Sequence, residues 1–267
     1  MTTTTDHLRV EFDDDRGVVT VTLDRPAKLN ALTDEMLEGI AAAIEACRDR
    51  DDDADGVAVR AVVLQGAGDK AFSAGYDISQ FAEKTYPVEE RAWRAATEAL
   101  ESYTAPVVAK IDGYCLGGGL ELSLACDFRI ASDRSVLGFP EVDIGIFPSG
   151  GGTQRLQPLV GPARAKELCM TGEQIDAETA REDGLLRDSV AADALDARVG
   201  EFVDTLGGKA PLAVRATKDV INTTQGMSHD EGLRYERQAY QPLLWTADHE
   251  EGVAAFEEER EPRWQGR

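Results

Sequence analysis

A chain of 267 residues with 42% hydrophobic and 29% charged side chains holds enough apolar material for a sizeable core, which excludes a disordered chain. Its 28 Lys and Arg stand against 50 Asp and Glu, a net charge of −22, and repulsion from phosphates excludes nucleic acid and anionic membrane as expected partners. A small anionic ligand stays compatible, because local Arg side chains and backbone N–H groups can bind one inside a negative envelope.

Residues 10–12 and 18–23 alternate and predict two strands joined by the acidic turn 13–17. Arg25-Pro26 ends the second. Thr33 is placed as an N-cap with Asp34 and Glu35 in the first turn, and Leu37, Ile40, Ile44 and Cys47 follow at helical spacing. Residues 49–56, rich in Asp, read as a solvated loop; a calcium loop would need the fixed Gly and terminal Glu of an EF-hand. The apolar run 61–65 predicts a buried strand. Residues 87–102 have a helical pattern, 106–111 form the next strand, and Gly117-Gly118-Gly119 leads into a short helix over 120–126. Residues 128–130 and 135–137 predict short strands. From Gly151 onward the pattern is mostly helical, with breaks at Gly161-Pro162, Gly172, Gly184, Gly207-Gly208 and Pro242. The chain reads as α/β: repeated β–β–α units, then a helical C-terminal third. Its long helix over 228–245 has the character of one that covers another subunit.

Cys47, Cys115, Cys126 and Cys169 form no CxxC pair and read as buried thiols in a reducing compartment. The first residues lack a basic segment and an apolar segment, and no apolar run approaches membrane-spanning length, so the expected location is cytoplasmic. The acidic excess, with 26 Asp and only 7 Lys, adds the expectation of a high-salt cytoplasm.

Gly66-Ala67-Gly68-Asp69-Lys70-Ala71 matches the GxGxxA form of a dinucleotide fingerprint, but Phe72-Ser73-Ala74-Gly75 is poor material for the helix such a fingerprint must open. The loop at Gly117 lacks the GK[ST] ending of a P-loop, and Ser149 is not in a GxSxG elbow. His7, His229 and His249 are scattered, without metal-ligand spacing.

The segment 111–127 is more informative. Three glycines between a strand and a helix let a ligand approach the backbone and leave N–H groups where developing negative charge is stabilised. Glu121 follows among Leu120, Leu122 and Leu124, where a partly desolvated carboxylate suits proton transfer. The same residues read equally as a tight turn followed by a dipole-favoured acid. Glu141 also stands among apolar neighbours, after Pro140. Together the two carboxylates make an acid/base pair near a donor pocket; alone, Glu141 could as easily bond the turn 150–152.

Residues 72–77 (Phe-Ser-Ala-Gly-Tyr-Asp), 113–121 (Gly-Tyr-Cys-Leu-Gly-Gly-Gly-Leu-Glu), 140–145 (Pro-Glu-Val-Asp-Ile-Gly) and 151–156 (Gly-Gly-Thr-Gln-Arg-Leu) resemble the enoyl-CoA hydratase (crotonase) family in order and spacing. Arg25-Pro26 with Asn30-Ala31-Leu32, and 251–267, resemble its two ends. The resemblance implies the crotonase (ClpP-like) superhelix of repeated β–β–α units with a helical C-terminal region. Residues 1–200 would be the core with the active site, and 201–267 a helical trimerisation region of a homo-oligomer, a trimer or dimer of trimers. It implies an acyl-CoA substrate, with coenzyme A part of that substrate and no further cofactor or metal. The oxyanion hole maps to the backbone N–H groups of Tyr76 and Gly118. Ala74, Asp77 and Ile78 would line the CoA and acyl entrance, and Lys28 would lie near CoA.

Hydratases of the family carry Glu at the positions of Glu121 and Glu141, whereas its isomerases, decarboxylases, hydrolases and dehalogenases usually change at least one. The expected reaction is therefore syn addition of water to a trans-2-enoyl-CoA. The alternative is another reaction of the family, such as double-bond isomerisation or hydration of a branched or aromatic enoyl-CoA. Three features depart from the family pattern. Tyr76 is bulkier than the usual Ala, Phe147 and Ser149 vary the glycine turn, and the tail is acidic at 257–259, leaving Arg260 or Arg263 to meet the CoA phosphates.

Overall fold

The computed structural model describes residues 2–5, 7–79 and 91–267. They begin with β1 (Thr2–Thr5), β2 (Leu8–Asp13), β3 (Val18–Leu23), α1 (Asp34–Asp53), β4 (Ala61–Gly66), β5 (Ala71–Ser73) and α2 (Arg91–Ser102). Next come β6 (Val107–Ile111), β7 (Tyr114–Leu116), α3 (Gly118–Leu124), β8 (Phe128–Ser132), β9 (Val136–Gly138) and α4 (Gly152–Thr171). The chain continues with β10 (Gln174–Asp176), α5 (Ala177–Glu182), β11 (Asp188–Val190), α6 (Leu195–Gly207), α7 (Pro211–Thr223), α8 (His229–Leu243) and α9 (Ala247–Glu257).

The strands form two sheets, ordered β1-β2-β3-β4-β6-β8-β11 and β10-β9-β7-β5. From β3 to β11 the larger sheet is parallel, as are β5, β7 and β9 in the smaller one. The repeat lies in the path between sheets. Each turn takes a strand of the large sheet, a strand of the small sheet, then a helix: β4-β5-α2, β6-β7-α3, and β8-β9 followed by a 3-10 turn (Pro140–Ile144) and α4. Successive turns stack side by side into a superhelix of β–β–α units.

The continuous apolar run of β4 is explained by cover on both faces. Side chains alternate across a strand, so Val62 and Leu64 join the main core with Ile40, Ile44 and Leu100, while Ala61 and Val63 pack with Val199 and Phe202 of α6. Thr33 caps α1, its hydroxyl accepting the Met36 N–H at 3.2 Å. Leu37, Ile40, Ile44 and Cys47 are all buried, as their spacing predicts. All four cysteines are buried free thiols.

Several sequence expectations need correction. The segment 49–56 is helical through Asp53, and Asp51 is an internal anchor. Its carboxylate accepts from the Ala58 and Val59 N–H groups and the Tyr103 hydroxyl and pairs with Arg215 at 2.6 Å. Only its neighbours face solvent as a loop would. The break expected at Gly161 is present, its φ of 79° and ψ of 159° being non-helical and kinking α4, whereas Pro242 lies in the last turn of α8, which runs on to Leu243. The three-residue strands β7, β10 and β11 are too short for a period to show. The helix expected over 87–102 is seen as α2 from Arg91; residues 87–90 lie outside the described ones.

Candidate active site

Small-sheet strands deliver the chain into one cavity of about 290 Å3. Its lining comes from the residues after β5, the loop between β7 and α3, the 3-10 turn after β9, and the glycine turn before α4. Ala74, Tyr76, Ile78, Gly118, Glu121 and Glu141 all line it, so residues spread over 68 positions of sequence meet in one place.

Backbone bonding sets the donor end of this cavity. Leu32 forms a parallel bridge with Tyr76: its N–H donates to the Gly75 carbonyl and its carbonyl accepts from the Asp77 N–H, both at 2.8 Å. The N–H groups of Ala74 and Gly75 donate to the Leu29 carbonyl and the Ser73 hydroxyl. A residue bracketed in a parallel bridge turns its own N–H to the opposite side, and on that side stands Gly118. A Cβ built on Gly118 would lie 3.2 Å from the Tyr76 nitrogen. Gly118 is the first residue of α3, so its N–H has no acceptor within the helix. The turn depends on Gly117, whose φ of 51° and ψ of −125° suit glycine alone.

The two carboxylates face this end. Glu121 is 5% exposed, and its Oε1 accepts the Gly152 N–H at 2.8 Å. Burial pushes its carboxyl up to about 7; the N–H donors of Gly152 and Gly150 oppose that rise, and the charge of Glu141 adds to it. Glu141, on the 3-10 turn, lies against Gly117, where a Cβ would stand 3.2 Å from its Oε1. Its Oε2 is buried with no hydrogen-bond partner among the described residues, and burial raises its carboxyl as well. Two carboxyls with raised pKa, one oxygen left open, and nearby N–H donors can move protons on a substrate while holding an anionic oxygen. Among the described residues no group of three or more His, Cys, Asp or Glu could hold a metal ion.

Two expected residues are not among those that line this cavity. Asp77 is outside the lining, facing Arg25, whose Nη1 and Nη2 both stand 3.1 Å from it. Hydrogen bonds from Ser79, with those of Arg25, hold its carboxyl below the usual range. Lys28 is exposed on the 3-10 turn Pro26–Lys28, also outside the lining. In the tail, Arg260 pairs with Glu251 at 2.6 Å and with Glu258, and the Arg263 N–H donates to Glu251; these bonds hold the Glu251 carboxyl at about 2. Sequence reasoning missed Trp93, Asp34 and the exposed apolar wall of Ile144 and Ile146. Trp93 reads in the sequence as one more apolar residue of a helix. Asp34 reads as a first-turn acid, yet it accepts the Tyr76 hydroxyl at 2.7 Å.

The description "Enoyl-CoA hydratase/isomerase" belongs to a family model that matches residues 13–267. The chain is 37% identical to the short-chain-enoyl-CoA hydratase of Clostridium acetobutylicum, over 91% of this chain and 92% of that protein. It is 35% identical to the carnitinyl-CoA dehydratase of Citrobacter koseri, over 94% and 95% respectively. The crystal structure of an enoyl-CoA hydratase from Bacillus anthracis superposes with a TM-score of 0.89 at 36% identity, covering 98% of this chain and all of that one. The chain belongs to the enoyl-CoA hydratase/isomerase family, and its β–β–α superhelix is the crotonase fold. It is an enzyme of that family.

Proposed function

We propose that the protein hydrates trans-2-enoyl-CoA thioesters to 3-hydroxyacyl-CoA. The observation that carries this reading is the pair of a buried Glu121 and a half-buried Glu141 in one cavity that also holds Tyr76 and Gly118. The thioester oxygen is held by the backbone N–H groups of Tyr76 and Gly118, where negative charge builds as an enolate forms. Loss of one such donor typically raises a barrier by about 2.7–4 kcal/mol. Glu121 orients a water and takes its proton while the water oxygen bonds to the β-carbon. Glu141 shares that water and delivers a proton to the α-carbon from the same face, so one H and one OH are added syn. The carboxyls act as a coupled pair, and the rate follows the apparent pKa values of the pair. Because burial raises both carboxyls, the acid limb of kcat should lie above the ordinary carboxylate range.

Residues 1–200 then form the catalytic core and 201–267 the assembly region of a trimer or dimer of trimers. Support comes from α8, which buries none of its residues within the chain and exposes Leu233 and Tyr240, with Trp245 just beyond it. No described helix is long and apolar enough to cross a membrane, in keeping with a cytoplasmic enzyme, and the charge of −22 supports a high-salt one. The test is loss of the conjugated enoyl-thioester absorbance of crotonyl-CoA, with protein held in molar KCl. Rapid loss that Glu121→Gln abolishes supports the proposal. Bound crotonyl-CoA that keeps its absorbance overturns it and favours isomerisation or a bulkier enoyl-CoA.

A further inference from the structure

The glycine turn that supplies N–H donors to Glu121 is clamped from outside by α2. The Trp93 indole N–H donates to the Gly150 carbonyl at 2.7 Å, and Arg155 Nη1 donates to the same carbonyl at 2.9 Å. Arg155 is itself fixed by Glu101, eight residues after Trp93 on α2, through bonds of 2.5 and 2.9 Å. The fit admits no other residue at the turn, since a Cβ on Gly150 would lie 2.3 Å from the indole. The far edge of the same ring lies 3.3 Å from where a Cβ of Gly118 would sit. One side chain therefore touches both halves of the site.

We propose that Trp93 is a positioning residue: by holding the Gly150 carbonyl it aims the N–H groups of the glycine turn at the Glu121 carboxylate. This rests on the reading of Glu121 as a proton-transferring group. The charged or titratable groups that face Glu121 are Glu141 of the 3-10 turn, and Arg155 and Cys169 of α4; replacing the indole alters the charge of none of them. Without the clamp the turn relaxes, Glu121 loses donors that favour its ionised form, and its titration moves upward.

The experiment compares the full-length enzyme with Trp93→Phe and with Trp93 replaced by benzothienylalanine, an isostere carrying sulfur in place of the N–H. Infrared titration follows the protonated-carboxyl band that Glu121→Gln removes, and kcat and KM for crotonyl-CoA are measured across pH. The expected result is an upward shift of the band's midpoint by about half a pH unit or more in both variants. The acid limb of kcat should follow it, with KM changed less than about twofold. An unchanged midpoint in the isostere overturns the proposal, whatever the thermal stability, because a merely structural indole would not move it. Failure of the wild type to hydrate crotonyl-CoA would overturn the proposed function instead, and the infrared midpoint would still decide the role of Trp93.

Discussion

The short helix α3 ends in two opposite ways. Beyond its C-terminus, Arg129 is buried and donates to three backbone carbonyls. Its Nη1 donates to Ser123 at 3.1 Å and Cys126 at 2.9 Å, and its Nε to Leu185 at 2.8 Å. Asp127 beside it pairs with the buried Lys218 at 2.7 Å and accepts the Val107 N–H. In the first turn, Glu121 is equally buried but meets backbone donors and another carboxylate, and one oxygen of Glu141 is bonded to nothing described. A buried charge closed by partners is inert scaffolding, while one left partly open is unstable in place and therefore reactive. The helix holds both kinds because its rigid packing at one end fixes the geometry of the other.

The largest effect should come from cutting the open end. Glu121→Gln and Glu141→Gln, made singly, should each lower kcat on the order of 10^2- to 10^4-fold while leaving acyl-CoA binding near normal, as read by steady-state kinetics beside calorimetric titration. Near-normal turnover in either variant would remove that residue from the chemistry. Cutting the closed end should reverse the pattern. Arg129→Met leaves buried carbonyls without donors and should destabilise the fold by about 3 kcal/mol, measured by denaturant unfolding, and turnover per folded molecule should fall far less than in the Gln variants.

A third experiment sets the two ends directly against each other. Burial lifts the Glu121 carboxyl from its ordinary 4.5 to about 7, which costs the folded state on the order of 3 kcal/mol once the group is ionised. The folded chain holds this proton more tightly than the unfolded chain does. Its contribution to stability is therefore full below about 4.5, declines as pH rises to about 7, and is flat above. Glu121→Gln should accordingly be more stable than wild type at pH 8, with the gap closing as pH falls toward 5; thermal melts across pH decide it. A wild type as stable as this variant at pH 8 would mean that the donors around the site carboxylate compensate its burial in full. The smallest effect is expected from Tyr76→Phe, which loses the hydroxyl bond to Asp34. It should cost about 1 kcal/mol in denaturant unfolding and change kcat far less than either Gln variant, because the proposed donor is the backbone N–H.

Much of this was legible along the chain. The N-cap at Thr33, the spacing of Leu37, Ile40, Ile44 and Cys47, and the buried run of β4 follow from local chemistry and period, and each is realised. Glu121 and Glu141 stand out in the sequence as acids among apolar neighbours, and the motif order leads to the right family. What stayed hidden at the charged residues has one cause. Asp51 looks like one of several solvated acids until the fold brings Arg215 and Tyr103 to it from 164 and 52 positions away. Asp77 sits inside the family motif, yet Arg25 holds it 52 residues away in sequence and turns it from the cavity. Sequence by itself settled most of the longer helices and strands, where the glycine turns fall, and which two acids are unusual, because capping, periodicity and φ restriction act over a few residues. Only the tertiary structure decided which charges are closed and which left open, and that Trp93 reaches the Gly150 carbonyl. Those contacts are set by how the β–β–α turns stack, and stacking joins residues that no local pattern links.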